Sequence, residues 1–150
     1  MKFEPVMMVW DYYDGPRSGI ADFNGSPHYF SCELCAVDGE YLDKFKLAPI
    51  DIAFLCIAKE NWAIYKKWEA KFHAGLVELN SHPGHGGIDE RYDELEMELQ
   101  GLIKKLAALD KRYVPQFRAI DSQGEHRVGV LRELEVFWEA SLSGSGDVSP

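Results

Sequence analysis

Seven apolar residues, Tyr92, Leu95, Leu99, Leu102, Leu106, Leu109 and Tyr113, recur at alternating three- and four-residue steps. That is the spacing of one buried helix face, and no strand can present it. It predicts a helix from about residue 89 to 113. Asp89, Glu90, Asp93 and Glu94 lie at its positive end, and Lys104, Lys105, Lys111 and Arg112 at its negative end, as the helix dipole favours. Upstream, Ala58, Trp62, Tyr65, Phe72, Leu76 and Leu79 keep a second helical spacing, interrupted by Glu69. Lys59, Lys66, Lys67 and Lys71 lie opposite them, and Asp51 is placed to cap the start. This helix is expected from about 52 to 80. Glycines and a proline in the loop 81–87 end it, and two apolar stripes so joined should pack antiparallel.

The flanking segments read as strands. Residues 3–13 are apolar on both alternations, as in a strand covered on both faces. A loop at 14–19 leads to a short strand at 20–23, and Asn24-Gly25 is a strong hairpin turn. The strand at 28–36 follows, then a second turn at Asp38-Gly39. Residues 41–47 place Tyr41, Phe45 and Leu47 on one face, with Asp43 interrupting it. Turns this short join only antiparallel strands. After Pro115, residues 116–120 are expected as a strand and 121–125 as a turn. Val128, Val130, Leu134, Val136 and Trp138 then alternate along a long strand, with Arg132 as the exception and a bend or bulge near Gly129. The fold expected is α+β: an antiparallel sheet or small curled barrel with an inserted antiparallel helical hairpin spanning about 52–113. One domain covers 1–140, and the Ser/Gly-rich tail at 141–150 is expected to be disordered.

Charge narrows the partners. Twenty-five acidic residues against sixteen basic ones give a formal charge of −9. Such a field repels phosphate backbones, so no nucleic-acid partner is expected. No segment has the length and continuity of a membrane-spanning helix, and the amino terminus lacks a signal peptide's apolar run and cleavage site. Three cysteines, an odd count without an export signal, point to a reducing cytoplasm.

Three clusters carry chemistry. Cys32-x-x-Cys35 and His82-x-x-His85 have metal-ligand spacing and make zinc one reading. Cys32 and Cys35 lie in an expected strand, however, where side chains three apart face opposite ways. The loop 12–19 sets Arg17 and Asp14 among Tyr12 and Tyr13, so a guanidinium and aromatics stand ready to clamp a carboxylate or phosphate. The plainer account is an Arg17 ion pair to Asp14 or Asp11 that fixes the loop. The loop 82–87 brings His82 and His85 beside glycines, which suits acid–base work, a pH response or anion binding. Its plainer account is a flexible interhelical connection. His126 is expected at the surface where the last strand opens. No nucleophile elbow or His-Glu-x-x-His pair occurs, and no motif implies a cofactor.

The segment Asp11-Tyr12-Tyr13-Asp14-Gly15-Pro16-Arg17-Ser18-Gly19-Ile20-Ala21-Asp22-Phe23-Asn24-Gly25, with Pro27-His28-Tyr29-Phe30 after it, resembles a stretch of small uncharacterised bacterial proteins. The region Trp62-Ala63-Ile64-Tyr65 with Trp68-Glu69 is similar to the same group. The resemblance implies a bacterial source and carries no mechanism. The leading expectation is a soluble interaction or regulatory domain that binds a protein or small ligand through Tyr12, Tyr13, Asp14, Arg17, His28 and His85. An acidic inhibitor of a basic partner is one version of it. The alternatives are a small enzyme using His28, Arg17, Asp14 and His85, and a zinc protein using Cys32, Cys35, His82 and His85. A homodimer is expected if one hairpin face stays apolar and exposed.

Overall fold

The computed structural model describes residues 2–120 and 133–142. They form two compact units, one built from 2–50, 107–120 and 133–142, the other from 51–106. The expected turn at 121–125, His126, the strand residues 128–132 and most of the tail lie outside the described residues.

The first unit is a closed antiparallel barrel in the order β1-β2-β3-β4-β5-β6. Its strands are β1 (Glu4–Tyr12), β2 (Pro16–Phe23), β3 (Ser26–Leu34), β4 (Tyr41–Pro49), β5 (Tyr113–Ala119) and β6 (Leu134–Ala140). The meander is local, as its short turns require, and β6 closes it by pairing Glu4, Pro5 and Val6 of β1 with Val136, Glu135 and Leu134. The β2–β3 turn is the expected one: Asn24 and Gly25 have φ of 53° and 83°, the double positive φ of a type I′ turn. Two boundaries move. β2 begins at Pro16, not Ile20, so the 14–19 loop shrinks to a tight turn at Tyr13–Gly15. β3 ends at Leu34, and the Asp38-Gly39 turn widens into a loop in which the Cys35 N–H donates to the Glu40 carbonyl.

Phe30, Phe45, Phe117 and Trp138 fill the barrel. All six pairings of these rings have centroids between 5.7 and 6.2 Å apart. Ala21, Leu47 and Val136 complete the buried cluster. Large rings are what fill a narrow barrel. Trp138 satisfies its indole N–H on the Asp22 carbonyl at 3.2 Å, as a buried indole requires. The interior is a packed core.

The second unit holds α1 (Ile52–His73) and α2 (Glu90–Ile103). Asp51 and Asp89 cap them by accepting the N–H groups of Phe54 and Tyr92, each at 2.8 Å. Phe54 and Ala58 of α1 and Leu95 and Leu99 of α2 are buried. Glu60 of α1 accepts two bonds from the Arg91 guanidinium, at 2.7 and 2.9 Å. Both helices are shorter than expected. α1 stops at His73, and Gly75 turns the chain with φ of 76°. Leu79 belongs to a short 3-10 turn (Leu79–Ser81), followed by another at Pro83–His85. α2 stops at Ile103, so the last part of its stripe is not helical. Leu109 and Tyr113 pack on the barrel core instead, and the Leu109 N–H donates to the Leu47 carbonyl at 2.7 Å. Tyr113 opens β5, and Pro115 lies inside that strand, where 116 was the expected start. Leu spacing is blind to which core a residue joins.

Candidate functional site

In a six-strand meander, alternate turns emerge at the same end. The β1–β2 and β3–β4 turns therefore share one end of the barrel, and the Tyr13 and Tyr41 rings meet there at 6.0 Å. Asp14 and Gly15 make the β1–β2 turn with φ of 53° and 116°. Arg17, on β2, holds it shut. Its Nε donates to the Tyr13 carbonyl at 2.7 Å, and one Nη to the Asp14 carbonyl at 3.4 Å. The other Nη lies 3.6 Å from Cys32 Sγ, and the guanidinium carbon stands 4.5 Å above the Tyr41 ring. The expected ion pair to Asp14 or Asp11 is replaced by bonds to backbone carbonyls. Asp11 instead accepts the Ser18 hydroxyl at 2.7 Å.

The turns and strand ends at this end of the barrel expose apolar side chains. Tyr12, Tyr13, Leu34, Val37 and Tyr41 are 61%, 68%, 56%, 93% and 38% exposed. Single exposed apolar residues are ordinary, but five gathered at one end form a patch. Asp11, Asp14, Asp38, Glu40 and Asp43 are exposed in the same turns and strand ends. Backbone and Cys35 hydrogen bonds hold the Asp38 carboxyl below its ordinary range, so it stays charged. Cys32 is half-buried, and its thiol donates to the Leu42 carbonyl at 3.0 Å. Burial raises its pKa, and Arg17 only partly offsets that. It is therefore a thiol held in place, and the low-pKa thiolate of reactive cysteines is disfavoured.

His28 stands elsewhere. Four residues along β3 separate it from Cys32, about 13 Å at a rise of about 3.3 Å per residue. It is buried at the β2–β3 end, where its Nδ1 contacts the Ser26 carbonyl at 2.9 Å and its ring meets Phe23 edge-on. Nearby, the buried Glu4 carboxylate accepts the turn N–H groups of Asn24 and Gly25 at 3.0 and 2.7 Å. Burial and the Glu4 charge raise the pKa of Asp22. The barrel thus brings Tyr12, Tyr13, Asp14 and Arg17 together and leaves His28 at its other end.

In the helical unit, His82 is ordered by packing. Its ring lies 4.5 Å from Trp68, 5.5 Å from Tyr65 and 5.7 Å from His85. Its Nδ1 accepts the Gly84 N–H at 2.8 Å, and Pro83 beside it is buried. Desolvation and the neighbouring His85 lower its pKa. The interrupting Glu69 is buried because it accepts bonds from Tyr65 and Lys66, at 2.8 and 2.6 Å. Cys32 lies on β3 and Cys35 just past it, whereas His82 and His85 lie in the other unit. Among the described residues no group of three or more His, Cys, Asp or Glu is arranged to hold a metal ion.

Leu34, Val37 and Tyr41 were missing from the sequence-derived site. Tyr41 shares the parity of Phe45 and so reads as core. The signal that finds it is topological: two short turns two strands apart in a meander must emerge together. No protein family, curated protein or solved structure matches the chain.

Proposed function

We propose that this protein is an interaction module that docks a protein partner on the aromatic end of its barrel. The observation that carries the reading is the gathering of Tyr12, Tyr13, Leu34, Val37 and Tyr41 around an Arg17 already committed to the protein's own carbonyls. Tyrosine supplies large contact area at low conformational cost, and it is enriched where proteins meet. Among the described residues the barrel interior is occupied by the Phe30, Phe45, Phe117 and Trp138 rings, which favours a surface partner over a ligand held inside. The acidic turn residues and the chain's overall charge of −9 favour a basic one. Three free cysteines fit work in a reducing compartment.

The test compares the full chain with its Tyr13→Ala/Tyr41→Ala double variant as bait in extracts of the source cell, with Met97→Ala, exposed on α2, as a control. A protein retained by the parent and by Met97→Ala but lost by the double variant supports the reading. Equal retention by all three, or retention of none, removes it. For a partner so identified, each tyrosine truncation should weaken binding by about 1–2 kcal/mol, roughly tenfold.

A further inference from the structure

The barrel is zipped unevenly. β5 and β6 pair along their whole length, from Tyr113↔Ala140 to Ala119↔Leu134, and β2 and β3 from Ser18↔Ser31 to Phe23↔Ser26. β4 and β5 meet at a single pair, Phe45↔Tyr113. On one side of that bridge the seam is tied by the Leu109 N–H to the Leu47 carbonyl. On the other side, continuing the antiparallel register would set Asp43 opposite Pro115 and Tyr41 opposite Phe117, and neither pairing forms. The unpaired part of the seam runs from that bridge toward Tyr41, at the aromatic end. Among the described residues, nothing pairs with Tyr41–Lys44 of β4 or with 114–119 of β5 across it.

Two sequence anomalies fall in this stretch. Pro115 interrupts a strand that is otherwise fully paired to β6, and a strand tolerates proline where a neighbour's ladder is missing. Asp43 shares the parity of the core residues Phe45 and Leu47 yet is exposed, and a charge on the inner parity is a device that guards an open strand edge. Unpaired strand edges are also what partner segments use when they bind by adding a strand, with backbone bonds supplying affinity and side chains specificity.

We propose that the β4–β5 seam receives an extended, basic segment of the partner protein as an added strand between Tyr41–Lys44 and 114–119. This rests on the aromatic end being the docking surface. Basic character follows from charge: Asp43 lies on the seam, and Asp11, Asp14, Asp38 and Glu40 stand exposed at its mouth. Among the described residues the cations there are Arg17, held by carbonyls of its own turn, Arg118, paired to Glu135, and Lys44, against five exposed carboxylates.

The experiment titrates the full chain with three synthetic peptides, read by amide-resolved NMR and hydrogen exchange. One alternates Arg and Val, the second is the same peptide N-methylated at alternate amides, and the third alternates Glu and Val. The Arg/Val peptide is expected to bind and to slow exchange at those amides of 41–44 and 114–119 that point into the seam rather than to β3 or β6. N-methylation should weaken it roughly tenfold or more, because it removes ladder donors. Asp43→Lys should shift preference toward the Glu/Val peptide. The strand-addition proposal is overturned if those amides are already as slow in the free protein as the β2–β3 ladder, if the Arg/Val peptide does not bind, or if the N-methylated peptide binds equally well. In that last case, perturbed Tyr12, Tyr13 and Tyr41 signals leave docking at the aromatic end standing. If no peptide perturbs them and the tyrosine variants retain every partner, docking itself fails.

Discussion

Gly19 is the residue with least freedom. A Cβ built there would stand 2.0 Å from the Met8 carbonyl oxygen and 3.0 Å from the Phe30 ring. The obstacle is backbone, which cannot rotate aside, and β1 shifts register against β2 on either side of this contact. Gly19→Ala should therefore destabilise the barrel by roughly 3 kcal/mol or more, by the mechanism of core overpacking; chemical denaturation of the purified variant checks this. A loss under about 1 kcal/mol would mean that the β1 bulge slides freely. Glu4 is a second such point, since one buried carboxylate serves both turn N–H groups of Asn24 and Gly25. Glu4→Ala leaves two donors without that acceptor and should cost about 2–3 kcal/mol, whereas Glu4→Gln keeps an acceptor and should cost less. Denaturation midpoints of the two variants side by side give the comparison. The sequence marks Asn24-Gly25 as a turn but contains nothing that ties Glu4 to it, because that contact spans twenty residues.

At the scale of elements, the connection between α1 and α2 has its own titration. His82 accepts the Gly84 N–H through Nδ1, which only the neutral ring can do. Its pKa in the folded protein lies below the ordinary 6.5, first through desolvation and then through His85. A base whose folded pKa is depressed binds fewer protons folded than unfolded. The stabilisation is therefore present above about pH 6.5 and is lost as pH falls through the lower folded value. The rings facing His82 are those of Tyr65, Trp68 and His85, and among the described residues the charge acting on it is that of His85, which opposes its protonation. On acidification, the protection of the Gly84 amide relative to its intrinsic exchange rate should fall and Trp68 fluorescence should change, with a midpoint below 6.5. His82→Gln should abolish that midpoint, and its persistence would assign the titration to another group. The helix ends teach a related lesson. Asp51 was legible as a cap because capping is local, whereas Asp89, read only as an acid at the positive end of its helix, proves to be the cap of α2. The ends at His73 and Ile103 were not legible, because Leu79 and Leu109 fit the helical period while satisfying other contacts.

At the scale of the whole molecule, the barrel stands on four mutually touching rings. Removing the central Phe30, which is fully buried, should cost about 3–5 kcal/mol, the range for Phe→Ala in a packed core. Thermal unfolding of Phe30→Ala followed in the near-UV, where these rings report, checks it. An unchanged transition would mean that the core is not the cooperative unit. If the partner is basic, its association with this acidic chain should slow as salt rises while dissociation changes less, which stopped-flow binding at several ionic strengths measures.

What the sequence determined alone is what short-range physics controls. Alternation and the Asn24-Gly25 turn dictate an antiparallel meander, and 3.6-residue periodicity places two helices between its strands. Aspartates mark where those helices begin. What the tertiary structure decided depends on residues far apart in the chain. Closure of β6 on β1 turned a sheet into a barrel. The register of the meander carried Leu34, Val37 and Tyr41 to the Tyr12–Tyr13 end and His28 to the other. Arg17, legible as the centre of a loop, became the clasp of a turn because the carbonyls of Tyr13 and Asp14 came within its reach. A pattern of hydrophobicity says that a residue is covered. Only packing says by what.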